Sequence, residues 1–182
     1  RKSGQLLIVS ADGKRIQATP GNLPAVAKQG QGGLLDVALD PGFANNGLVY
    51  WSYAEAGAGG AGTAVARGRL AGAGQAAQGL TDVSVIFRQT PKVSGSGHFG
   101  SRLVFARDKT LFIGLGERQQ GSPSQDLASQ LGKVVRIHRD GTVPSDNPAW
   151  GAGAAPALWS VGHRNIQGAA LHPATGELWV TE

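Results

Sequence analysis

Three places in this chain carry the same local pattern, and their spacing restricts the fold more than any other feature. Val37-Ala38-Leu39-Asp40-Pro41 precedes Leu48-Val49-Tyr50, Val104-Phe105-Ala106-Arg107-Asp108 precedes Leu111-Phe112-Ile113, and Ala169-Ala170-Leu171-His172-Pro173 precedes Leu178-Trp179-Val180. Each reads as a buried strand, a turn and a second buried strand. Ala38 and Phe105 are 67 positions apart, and Phe105 and Ala170 are 65 apart. A near-constant period carrying one such unit marks a repeat architecture, in which no unit buries its own faces alone and neighbours must stack.

The segments between these places fill the repeat with strands. Residues 5–10 and 14–17 flank Ala11-Asp12-Gly13, and Asp-Gly between two alternating runs signals a hairpin because both turn positions tolerate positive φ. Residues 20–33, rich in Pro, Gly and Gln, read as a connection between sheets. Runs at 34–39, 48–54, 63–70 and 83–88 make one four-stranded antiparallel unit, with the Ala/Gly tract 54–62 as a hairpin tip. Runs at 102–106, 111–116, 133–138 and, more weakly, 157–161 make a second. Its polar loop, 117–131, has room for a helical turn from Ser124 onward. No window of eleven or more residues holds a helical period. The fold class is therefore all-β, a β-propeller of four-stranded antiparallel blades. Residues 1–20 form the end of one blade, 33–90 a blade, 98–161 a second and 166–182 the start of the next. About three blades do not close a ring, and their open edges are expected to invite association with another chain.

Composition removes several classes of function. The 17 Lys and Arg residues against 12 Asp and Glu give a net charge of +5, but the cations are scattered and form no nucleic-acid-binding block. No apolar stretch approaches the eighteen or so residues of a membrane span. Without cysteine there is no disulfide framework, thiolate metal site or thiol catalysis. Methionine is also absent, including at residue 1, and the chain stops within the strand pattern Glu177-Leu178-Trp179-Val180-Thr181-Glu182. Both ends are thus expected to have been cut from something longer.

The residues fit for chemistry cluster ahead of inner strands. His98 lies in Ser96-Gly97-His98-Phe99-Gly100-Ser101-Arg102, where glycines admit a ligand close to the backbone and an imidazole titrates near neutral pH. The bland alternative is a turn histidine satisfying a neighbouring backbone group. Gly162-His163-Arg164-Asn165-Ile166-Gln167-Gly168 has the same form one blade later, and Gln31 precedes Leu34-Leu35. Starts of successive innermost strands converge on one end of a propeller channel, so Gln31, His98, Arg102, Arg164 and Asn165 are expected to meet there. Guanidinium forks suit a carboxylate-bearing ligand, and amides suit sugar hydroxyls. His163 reads as structural, and Asp126, Asp140, Asp146 and Asn147 lack a calcium-loop spacing. No metal ligand is assigned within the chain.

Five motifs occur together in order: Gln31-Gly32-Gly33-Leu34-Leu35-Asp36-Val37-Ala38-Leu39-Asp40-Pro41; Gly97-His98-Phe99-Gly100-Ser101-Arg102-Leu103; Gln125-Asp126-Leu127 with Leu131-Gly132-Lys133-Val134; Asp140-Gly141 with Asp146-Asn147-Pro148; and Gly162-His163-Arg164-Asn165. This set resembles the soluble quinoprotein aldose sugar dehydrogenases, the glucose/sorbosone dehydrogenase family. The resemblance implies a six-bladed propeller that uses pyrroloquinoline quinone (PQQ) and calcium in the bacterial periplasm. It also implies oxidation of an aldose to a lactone and an artificial or respiratory electron acceptor. By this likeness His98 matches the catalytic base, Gln31 a residue near cofactor and sugar, and Arg164 and Asn165 the pair contacting PQQ. Arg102 occupies a motif position on the cofactor side. Calcium ligands are expected beyond the chain. Gly97 stands where glucose dehydrogenases carry an aspartate, and Ile166 where a proline is usual. The alternative, a propeller that only binds, has no need of a base at the channel mouth.

Overall fold

Alternating apolar and small residues build two four-stranded antiparallel sheets in the computed structural model, which describes residues 4–71 and 79–182. Residues 1–3 and 72–78, which belong to the expected blade ranges, lie outside the described residues. The chain opens on the short hairpin of β1 (Ile8–Val9) and β2 (Ile16–Ala18). The first four-stranded sheet has the order β3 (Leu34–Leu39), β4 (Leu48–Gly57), β5 (Gly60–Ala71), β6 (Gly79–Arg88). In the second, β7 (Gly100–Phe105), β8 (Leu111–Leu115), β9 (Lys133–Ile137) and β10 (Leu158–Val161) also lie in chain order. β11 (Gly168–Leu171) and β12 (Leu178–Thr181) pair as the start of a third. These are blades of a β-propeller. Their first strands β3, β7 and β11 lie side by side.

Two expectations needed adjustment. The Ala/Gly tract is mostly strand: β4 and β5 pair through to Gly57 opposite Gly60, leaving only Ala58 and Gly59 as the tip. Small residues are required there because the segment around Val93 crosses closely; a Cβ on Gly60 would lie 2.1 Å from the Val93 carbonyl oxygen. In the polar loop the helical turn is a 3₁₀ turn at Ser122–Ser124, two residues early, because Pro123 pre-sets its φ.

The blades are held by faces that alternate along each strand. Between the first and second blades lie Tyr50, Val65, Leu103, Leu111, Ile113 and Val135, all nearly or fully buried. Each such side chain stabilises by about 1.5–3 kcal/mol when removed from water. Tyr50 meets Phe105 edge-on, with ring centroids 5.0 Å apart. Phe112, Val134 and Ile166 fill the next interface, against Trp159, Leu171 and Val180. The repeated strands are therefore not buried on both faces as their pattern suggests. Ala38 packs into the inter-blade core, but Val37 and Leu39 on the opposite face are 52% and 54% exposed, and Trp179 is 64% exposed. No described strand covers those faces.

Candidate active site

His98 sits in the turn that feeds β7, with its backbone at φ +50°, a left-handed conformation unusual for a residue with a Cβ. Contacts from several sides hold it there. Its N–H donates to Gln31 Oε1 (2.8 Å), its carbonyl accepts from the N–H of Arg118 (3.2 Å), and its Nδ1 bonds to Glu117. Residue 116 must be glycine, since a Cβ there would lie 1.8 Å from the His98 carbonyl oxygen.

Glu117 was not anticipated from the sequence, although strand pairing could have found it. Gly100 pairs with Leu115 across β7 and β8, and carrying that register two places outward sets His98 opposite Glu117. Glu117 is 4% exposed. Besides His98, it accepts the Gly121 N–H at 2.5 Å and bonds the backbone of Gln119. Burial pushes its pKa up, but the Gly121 N–H, the His98 imidazole and the Gln119 backbone outweigh that and hold it below the ordinary glutamate value. A carboxylate only accepts, so Nδ1 of His98 donates to it, and in the neutral imidazole the lone pair is then on Nε2.

Behind the turn lies Arg118, fully buried. Its guanidinium stacks 3.5 Å from the centroid of Phe99 and donates to the Gly95 carbonyl oxygen at 2.7 Å. Burial lowers its pKa from 12.5 to about 10. This cation braces both flanks of His98.

A cavity of about 480 Å³ opens in front of the imidazole, lined in part by His98, Glu117, Gln119, Ser122, His163 and Arg164. Arg164 reaches it from the turn between β10 and β11. Its carbonyl accepts the Glu117 N–H (2.9 Å), and its side chain is exposed with no hydrogen bond or ion pair among the described residues. The turn carrying it is set by Glu182, also missed in the sequence. That carboxylate takes the N–H groups of Arg164 (2.6 Å) and Asn165 (3.2 Å) on one oxygen and His163 Nδ1 (2.8 Å) on the other. His163 therefore orients the loop, with Ser160 on its second nitrogen.

The remaining expected site residues divide. Gln31 and Asn165 are brought to the His98 turn and support its backbone: Gln31 bonds residues 96 and 98, and Asn165 Oδ1 accepts the Gly100 N–H at 3.1 Å. Arg102 is not among the cavity's lining residues. Its guanidinium bonds the Gln167 carbonyl oxygen (2.5 Å) and lies 3.5 Å from Asp36, which ties three blades together near the channel. Asp146 and Asn147 bond Arg136, and Asp140 Oδ1 caps its own turn through the N–H of Thr142. Among the described residues no three His, Cys, Asp or Glu side chains form a group that could hold a metal.

Comparison with known proteins points to one family. The family model described as Glucose / Sorbosone dehydrogenase matches residues 1–182. Aldose sugar dehydrogenase YliI of Escherichia coli is 45% identical over 172 residues, covering 93% of this chain and 46% of that protein. The apo-form crystal structure of the soluble aldose sugar dehydrogenase from Escherichia coli superposes with a TM-score of 0.91 at 44% identity, over 98% of this chain and 51% of that one. The PQQ-bound aldose sugar dehydrogenase of Streptomyces coelicolor does so with a TM-score of 0.83 at 31% identity, over all of this chain and 51% of that one. The chain thus spans about half the length of these relatives.

Proposed function

The chain belongs to the glucose/sorbosone dehydrogenase family, and from that premise we propose that it carries the catalytic base and one wall of a PQQ-dependent aldose dehydrogenase site. The observation that carries this reading is the buried Glu117 on Nδ1 of His98, which leaves Nε2 as the base in a cavity shared with Arg164. A propeller that only binds gains nothing from such a pair.

The residues present fit the cofactor's chemistry. PQQ is a planar tricarboxylate, and Arg164 offers at the cavity wall a guanidinium with no partner among the described residues, suited to a bidentate grip on a carboxylate. When bound, PQQ supplies the two-electron acceptor for the hydride leaving sugar C1. His98 Nε2 takes the proton of the anomeric hydroxyl, so proton and hydride together account for the two hydrogens lost as the hemiacetal becomes a lactone. Glu117 keeps the imidazole in the required tautomer and faces the positive charge that forms on it, as a buried carboxylate does for any histidine base. Gln31 and Asn165 hold the turn from the backbone side. Calcium belongs to the same proposal, with ligands outside this chain, as do the rest of the cofactor site, the external electron acceptor and a periplasmic location. Osmotic-shock fractionation of the producing cells tests the last.

The test is His98→Gln in the full-length protein supplied with PQQ and calcium. Dye reduction with aldoses should fall at least 100-fold, the usual contribution of a positioned base, while PQQ uptake measured by absorbance is kept. An undiminished rate overturns the assignment. The 182-residue chain alone should turn over no sugar.

A further inference from the structure

We propose that Gln119 is a specificity-determining contact for the sugar, and that the missing side chain at residue 97 is what places it. This rests on the dehydrogenase reading above. Gln119 follows the Glu117–Arg118 pair at φ +61°, and its backbone bonds the Glu117 carboxylate, so its Cα is fixed relative to the dyad. Its side chain lines the cavity beside His98 and Arg164, and its amide makes no hydrogen bond to any described residue. That amide lies against Gly97. A Cβ built on Gly97 would have as its three nearest atoms the Oε1, Cδ and Nε2 of Gln119, at 2.7, 2.8 and 3.1 Å.

Gly97 is not in the left-handed region, so its backbone does not require glycine. The space above it is taken by the Gln119 amide. An alanine there displaces the Gln119 amide and touches nothing else as closely. Residues 97 and 119 therefore act as a pair: the absent side chain of one is the seat of the other.

An amide presents a donor and an acceptor side by side and suits a hydroxyl group that both donates and accepts. Because Gln119 rests on the residue before His98, the hydroxyl it reads is a neighbour of the one that His98 deprotonates, at C2 of the ring. The ligand class is aldoses with a free C2 hydroxyl. A site built to bond a hydroxyl rejects the analogue that lacks it.

The experiment is a double-mutant cycle in the full-length protein with PQQ and calcium. The kcat/KM ratio of D-glucose to 2-deoxy-D-glucose is measured for wild type, Gln119→Ala, Gly97→Ala and the double variant. Either single substitution should lower the ratio by about 3- to 10-fold, the range of one neutral hydrogen bond, and the double variant should match Gln119→Ala. An unchanged ratio in Gln119→Ala overturns the proposal, as do additive effects of the two changes. Calorimetric binding of 1,5-anhydro-D-glucitol, which has no anomeric hydroxyl to oxidise, separates this from the dehydrogenase reading. Binding weakened by Gln119→Ala, with no turnover of D-glucose by wild type, would sink the reaction and keep the contact. Equal binding by wild type and variant would sink the contact.

Discussion

Asp36 Oδ2 accepts the backbone N–H of Leu103 at 2.9 Å, so a carboxylate on the first strand of one blade completes the first strand of the next. Its other oxygen accepts the N–H of Val37 and lies 3.5 Å from Arg102. Replacing Asp36 by alanine leaves the Leu103 N–H, 67 residues away, without its partner. Asp36→Ala is expected to lose about 1–3 kcal/mol and Asp36→Asn less, since an amide oxygen still accepts. Urea midpoints of the three proteins check this.

Glu117 should matter to turnover beyond any effect on folding. In Glu117→Gln the side chain keeps an acceptor for the Gly121 N–H but loses the charge facing His98. Turnover is expected to fall by roughly 100-fold, the lower end of what a positioned base contributes, with PQQ uptake kept. Glu117→Asp should recover part of it. Rates equal to wild type in Glu117→Gln would mean that the pair has no catalytic part.

Lys133 anchors the loop that forms the cavity's outer wall. Its buried ammonium donates to the carbonyl oxygens of Pro123, Ser124 and Leu131, each at 2.8 Å, and burial lowers its pKa from 10.5 to about 8. Lys133→Met removes all three donors at once. A loss of about 2–4 kcal/mol is expected, together with faster amide exchange at residues 121–125. Thermal melts and hydrogen exchange report the two effects separately.

Asp108 is expected to make the second blade acid-sensitive. Burial pushes its pKa up, but bonds from Thr110 and Arg136 outweigh that and hold it at about 2 instead of 3.8. A folded pKa below the unfolded one contributes stability that is present above pH 3.8 and lost as the pH falls towards 2. Between about pH 4 and pH 2, wild type should therefore lose more of its urea resistance than Asp108→Asn does. Parallel pH profiles would contradict this.

Much of the architecture was legible because strand chemistry repeats at a fixed period. Leu34–Leu39 and Leu178–Thr181 lie where the alternation put them, and Asp140-Gly141 turns as Asp-Gly does. What pattern could not supply was which faces are covered: Val37 and Trp179 look like core residues in sequence but lie on faces that no described strand covers. The lining of the candidate cavity was legible where residue types are chemically unusual, as at His98 and Arg164. It was illegible where an ordinary acid at the end of a strand acquires its part through a partner 19 residues away, as Glu117 does. Arg102 is the converse. Its motif suggested a ligand, and its guanidinium is taken up by Asp36 and Gln167.

The hydrogen bonds around His98 also order events in time. Gln31 and His98 are 67 residues apart, and Gly100 and Asn165 are 65 apart, so neither bond forms within a hairpin. Each closes only when one sheet has docked on another, and long-range closures of this kind are the slow steps of β-rich folding. Strand signals should therefore return early on refolding, while the geometry of the imidazole returns late. The arrangement of the His98 turn thus reports on the docking of blades and not on their formation.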